Sequence, residues 1–439
     1  MATVGKTLGF LSLVSIVIGS QLGSGAFVLP SQLAPFKTIG LLGWVVSVAG
    51  AISLALVFSD LSSHLPKSGG PHVYVSAAFG RVAAFFTAWL YWVVSWASNS
   101  ILLVTIIYYL SVITGTLSGE YVFAVECLVL LFVVWTNLQG VKFSGKIETF
   151  LTVLKVLPLI VLPFVFFCFF DPSHFQVSIE DVSDGGAVLT TVSQTALLTF
   201  WGFIGVECAT TPAGCVRRPE KNIPRAIILG TTCVALVYLL NTVSITGVVG
   251  FDKLAATNAP YAAALEHIFS HYSNVAISVM AIIVCVGTLN AWTLTSGQIA
   301  YGACEEGLFP KIFGKTNSSG APVAAILIAA IGSIPFLALE QFNTGGLGKL
   351  IDLLVSIFLF VYLACCISYV KLLHKWHSSR WSRIKASILA QFAVVFCIFA
   401  LSQDMLSSLL VLGILLAVGF PIFWRRRAYI PSLLSHKNG

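Results

Sequence analysis

Twelve apolar runs, each about as long as a bilayer-crossing helix, leave this chain few ways to fold. Only 9% of its 439 residues are charged, and the mean hydropathy is +0.94. A soluble protein of this size could not cover its surface with so little charge, so the bulk solvent is lipid. Transmembrane β-strands would be shorter and would alternate apolar with polar, which these runs do not. The expected spans are about 7–34, 39–61, 82–113, 121–139, 147–170, 191–214, 226–250, 272–303, 321–339, 346–371, 384–402 and 405–425. The reading is one all-α membrane domain over 1–439, joined by short loops. The first run leads into an interrupted stretch rather than a small-residue cleavage site, so no cleavable signal is expected.

Lys and Arg placement orients the chain. With the N-terminus in the cytoplasm, 20 of the 24 basic residues fall inside and three (Lys37, Lys253, Lys349) outside, with Lys155 left within a span. Both termini are therefore expected to be cytoplasmic. The net charge of +7 reflects this topology and calls for no nucleic-acid partner. The ten cysteines lie in spans or at their cytoplasmic ends, without a C-x-x-C pattern, so neither a disulfide framework nor a metal site is expected.

The stretch "IVIGSQLGSGAFVLP", residues 16–30, breaks the first span at its most costly point. In hydrocarbon every main-chain N–H and C=O needs a partner, so an interruption survives only against protein or a water-filled cavity. The half-helix ends suit a small zwitterion, with N–H groups toward a carboxylate and C=O groups toward an ammonium. The competing reading is a small-residue motif for close helix packing. A second interruption, "TFWGFIGVECATTPAG" at 199–214, carries Gly202, Gly205 and Glu207 in the sixth span. Breaks five spans apart are what two five-helix inverted repeats with a site between them would produce.

These segments, with "LPKSGGPHVYVSAAFG" and "AWTLTSGQIAYGACEEGLFPKIFGKTN", resemble the amino acid–polyamine–organocation transporters over nearly the whole chain. The nearest likeness is to bacterial arginine/agmatine and putrescine/ornithine exchangers. The resemblance implies a LeuT-like core of ten helices in inverted repeats (about 7–170 and 191–371) with two peripheral helices (about 384–425). It implies that Ser24 and the N–H groups of Gly23 and Gly25 hold a substrate carboxylate. The carbonyls of Gln21, Trp201 and Ile204 would hold its amino group. Trp201 and Trp292 would be aromatic covers, their faces suited to a guanidinium or ammonium. Tyr91 and Tyr362 would lie on the outer side of the site, and Asn99, eight residues after Tyr91, would reach the substrate side chain. The chain departs from the arginine exchanger at Ser20 and Gln21, where that protein has Asn and Ile.

Three ionisable residues fall within spans, where charge is costly and points to function. Glu207 matches an acidic residue of the exchangers; it would attract a cation, carry a proton, or tie the broken helix to a neighbour. Lys155 resembles a fifth-span lysine of other members, either a permanent brace of the first-span break or a proton carrier. Glu126 has no motif and reads as an interfacial or snorkelling group. "RRPEKNIPR" at 217–225 is a cytoplasmic charge cluster with the makings of an inner gate.

The main expectation is a secondary transporter of the bacterial cytoplasmic membrane, exchanging a cationic amino acid for a related amine or amino acid. The alternative is proton-coupled uptake of neutral amino acids, and a remote one is a sensor or channel on the same scaffold. No phosphate loop, nucleophile constellation or metal spacing suggests an enzyme or a cofactor. The expected partners are a small amino acid or amine and the lipid bilayer. The family's bacterial exchangers are often dimers, so a homodimer stays open.

Overall fold

The computed structural model describes residues 8–67, 69–115, 119–175, 185–213, 216–269, 271–342, 346–377, 379–402 and 405–426. Among them the fold is almost entirely helical, and the one extended pairing is a single bridge between Leu8 and Val216. The first span is two half-helices, α1 (Phe10–Gln21) and α2 (Ser24–Leu33), followed by α3 (Leu42–His64) and a short loop helix, α4 (Pro71–Phe79). Next come α5 (Arg81–Ala97), α6 (Asn99–Thr114), α7 (Gly119–Leu138), α8 (Val141–Phe167) and α9 (Gly185–Phe200). Beyond the second break lie α10 (Pro219–Val249), the loop helices α11 (Phe251–Ala255) and α12 (Pro260–Ile268), and the long α13 (His271–Glu305). The chain closes with α14 (Val323–Phe342), α15 (Gly346–Trp376), α16 (Arg380–Leu401) and α17 (Met405–Arg426).

Among the described residues, eleven helical stretches are long and apolar enough to cross a membrane. The expected ninth span is helical as well, but its continuous apolar part, Val323–Leu337, is shorter than the others. The third span is divided, because Ser98 is a turn residue between α5 and α6. Burial sorts the helices: 61% of the most apolar stretch of Phe10–Gly40 is buried but only 11% of that of Met405–Arg426. The first belongs to the packed interior, and the last presents its side chains to lipid.

Polar side chains repair the main chain where helices break or bend. Pro163 in α8 cannot donate to the Leu159 carbonyl one turn earlier. Asn241 of α10 fills the gap, its Nδ2 donating to that oxygen at 2.8 Å. Tyr261 of α12 then donates to Asn241 Oδ1, which ties a loop helix to two spans. At the end of the bundle where the chain starts, Arg217 N–H donates to the Leu8 carbonyl at 3.0 Å. There Asp60 Oδ2 accepts from Tyr369 at 2.6 Å and lies 2.8 Å from His377 Nε2, joining α3 to α15 and the segment before α16.

Candidate functional site

The two interruptions face each other. α1 stops at Gln21, and α2 starts at Ser24. α9 stops at Phe200, and Trp201–Thr210 runs as short 3-10 turns. Ser20 bridges them, its hydroxyl donating to Val17 O at 3.0 Å and reaching Gly205 O at 3.2 Å. Gly205 has φ +105°, and an added Cβ would stand 2.8 Å from Ser20 Oγ, so only glycine fits. At Gly25 the constraint is space alone: a Cβ would meet the Tyr238 hydroxyl at 2.9 Å and the Trp201 ring at 3.2 Å.

The broken end of α1 permits a full accounting of its carbonyls. Ile18 O accepts from Leu22 N–H at 2.8 Å, and Gly19 O accepts from Lys155 Nζ at 2.6 Å. Ser20 O takes the Trp292 indole N–H at 3.4 Å, and Gln21 O takes the Tyr238 hydroxyl at 2.8 Å. Leu22 O accepts from Thr288 Oγ1 at 3.3 Å, and the same hydroxyl lies 3.3 Å from Lys155 Nζ. Side chains from α8, α10 and α13 thus hold the helix end that no main chain reaches.

Between the breaks lies a tight cavity of about 20 Å³. Ser20, Gln21, Gly23, Ser24 and Gly25 form one wall, Trp201 and Ile204 another. Thr288 and Trp292 of α13, with Ser98 and Leu102 of the divided third span, complete it. Trp201 Nε1 donates to Ser24 Oγ at 3.1 Å, so this ring is anchored against the start of α2. Chemically, the wall combines the N-terminal end of one half-helix, the C-terminal end of another and two indole rings. Such a surface matches a small ligand with an anionic and a cationic group.

Beside the cavity, Glu207 is wholly buried and both its oxygens are engaged. Tyr91 donates to Oε1 at 2.6 Å and Tyr362 to Oε2 at 2.5 Å. The Tyr362 hydroxyl also lies 3.4 Å from Gly205 N–H. Three helical segments therefore meet on one carboxylate.

Most of the expected residues converge: Gln21, Gly23, Ser24, Gly25, Trp201, Ile204 and Trp292 line one cavity. Three expectations change. With the start of the chain in the cytoplasm, Tyr91 and Tyr362 would lie on the inner side of the site rather than the outer. They sit toward the end of the bundle where the chain starts, beneath which Gly70 of the α3–α4 loop approaches Tyr91 and Thr211. Asn99 does not line the cavity; its Nδ2 points to Thr293 Oγ1 at 3.4 Å. Eight residues rotate a helix by about 80° beyond whole turns, and the turn at Ser98 intervenes, so Ser98 and Leu102 face inward instead. Glu126 is 1% exposed and so does not snorkel to the surface. Sequence reasoning missed Tyr238, Thr288, Thr231 and Ser98. A tyrosine or threonine in an apolar helix carries no local mark of the main-chain break it serves.

The family model described as amino acid permease matches residues 8–423. The chain is 30% identical over 354 residues to a cadaverine/lysine antiporter of Escherichia coli, covering 79% of this chain and 78% of that one. It is 31% identical over 434 residues to an arginine/ornithine antiporter of Pseudomonas aeruginosa, covering 94% and 89%. A putrescine transporter of Haemophilus influenzae is 29% identical over 333 residues, covering 74% and 75%.

Proposed function

Because the chain belongs to the amino acid permease family, we propose that it is a secondary-active transporter exchanging a cationic amino acid for a related amine or amino acid. The observation that carries this reading is the cavity between two interrupted helices, with half-helix ends of opposite polarity in its wall. The relatives that exchange lysine, arginine, ornithine or cadaverine support the choice of substrate class. In this reading the α2 start (Gly23, Ser24, Gly25) takes the carboxylate. The carbonyl edges near Gln21, Trp201 and Ile204 take the ammonium, and Trp201 and Trp292 cover the ligand. Glu207, held by Tyr91 and Tyr362, closes the path toward the end of the bundle where the chain starts.

The architecture that suits this function has twelve spans, ten of them in two inverted repeats that rock about the two breaks. The protein would sit in a bacterial cytoplasmic membrane with both termini inside, and transport would proceed by alternating access without a covalent step. The bond from Lys155 Nζ to Gly19 O at 2.6 Å supports the brace role and, with it, exchange over proton-coupled uptake. The test is counterflow in proteoliposomes. Vesicles loaded with unlabelled lysine, arginine, ornithine, cadaverine or putrescine should take up labelled arginine or lysine, and empty vesicles should not. Uptake of leucine into empty vesicles, driven only by an inward proton gradient, would replace this reading with the proton-coupled one.

A further inference from the structure

The carbonyls at the end of α1 already have protein donors: Lys155 on Gly19, Trp292 on Ser20 and Tyr238 on Gln21. One acceptor in the same wall does not. Gln21 is 3% exposed and lines the cavity, and its side-chain Oε1 is buried without a hydrogen-bond partner among the described residues. The other half of the amide is fixed, Nε2 donating to Thr231 Oγ1 of α10 at 3.1 Å. That tether gives the amide a defined orientation.

A buried carbonyl oxygen left unpaired is costly, and the cost is recovered when a donor arrives. Its position suggests which donor. Gln21 is the last residue of α1, at the end where the helix dipole is negative, so the local potential favours a cation. Gln21 also lines the cavity, the space through which a ligand would reach it. We propose that Gln21 Oε1 accepts a hydrogen bond from the substrate's α-ammonium and thereby selects ligands whose α-nitrogen carries N–H. The main-chain carbonyl of Gln21 already accepts from Tyr238, and the side chain adds a second, unpartnered acceptor beside it. This rests on the transporter reading but not on the substrate's side chain, because cationic and neutral amino acids share the α-ammonium.

A site that hydrogen-bonds its ligand rejects the analogue lacking that donor more strongly than a hydrophobic pocket rejects a lost methylene. The test pairs a protein change with a ligand change. Equilibrium binding to the purified full-length protein is measured for arginine, lysine and leucine and for their Nα-trimethyl forms. Wild type should bind at least one parent amino acid and discriminate against its trimethyl form. Gln21→Met should weaken the parent by roughly tenfold to a hundredfold while leaving the trimethyl form nearly unchanged. Gln21→Glu keeps an acceptor at the same atom and should retain the discrimination, which guards against a folding defect in the Met variant. Equal losses for parent and trimethyl ligand would overturn the proposal and leave the transporter reading intact. So would coupling of Gln21→Met to the carboxylate, read with the α-carboxamides. Failure of wild type to bind any of the three amino acids would overturn both.

Discussion

Lys155 Nζ lies 2.6 Å from the carbonyl oxygen of Gly19, a residue 136 positions earlier in the chain. The contact spans the bundle from α8 to the end of α1, and Thr288 of α13 shares it. A buried main-chain oxygen at a broken helix end needs such a donor. Lys155→Met should therefore loosen the end of α1 and weaken substrate binding by roughly tenfold or more, and by a similar factor at pH 5.5 and pH 8. Binding of labelled arginine to the purified protein checks this. A variant that binds normally, but loses only uptake driven by a proton gradient, would make Lys155 a proton carrier instead.

Gly205 and Gly413 give a contrasting pair. Gly205→Ala places a side chain in a backbone region that costs about 1–3 kcal/mol, and its Cβ would stand 2.8 Å from Ser20 Oγ. It should lower the thermal midpoint in detergent and abolish exchange, because it pushes the two breaks apart. Gly413→Ala in α17 meets nothing within 4 Å. It should be neutral or slightly stabilising, as alanine favours helix by up to about 1 kcal/mol. Equal effects of the two would mean that the Ser20–Gly205 approach is not a constraint.

Glu207 is held by two hydroxyls from different helices. Tyr91→Phe or Tyr362→Phe alone leaves the carboxylate one tyrosine donor and should cost about 1.5–3 kcal/mol. The double variant removes both, and its loss of stability should exceed the sum of the singles. Thermal unfolding of the three variants reads the coupling. Strict additivity would show that the tyrosines act independently of the carboxylate they share.

Trp201 offers the cavity a ring and offers Ser24 an N–H. Trp201→Phe keeps a ring and should weaken arginine binding only several-fold, as for a lost neutral hydrogen bond. Trp201→Leu also removes the face available to a cation and should weaken binding further. Competition binding with arginine and citrulline separates the two effects. If Phe and Leu variants match for both ligands, the ring contributes no cation contact.

Much of this arrangement was legible in the linear chain. The glycine- and serine-rich stretches at Gly19–Gly25 and 199–214 pointed to breaks, and the helices are interrupted at Leu22–Gly23 and over Trp201–Thr210. A lysine inside an apolar run must reach acceptors, and Lys155 reaches the first break. Glu207 also had to be satisfied, and its position after the second break marked it. The misplacement of Asn99 has a local source. Helical phase over eight residues assumes a straight helix, and the turn at Ser98 resets it. Nor did any local signal say which end of the bundle Tyr362 would face.

The sequence by itself determined that the chain is membrane-embedded and helical, and where its helices break. Those outcomes depend on local quantities: the length of an apolar run, the φ freedom of glycine, and the cost of an unpaired main-chain group in lipid. Only the tertiary structure decided which side chains meet the freed groups. Tyr238 on Gln21 O, Trp292 on Ser20 O and Thr231 on the Gln21 amide join residues more than 200 positions apart. Such pairings follow from helix crossing angles and from the rotation of each helix about its axis. Packing of the whole bundle sets both, and no short stretch of sequence encodes them.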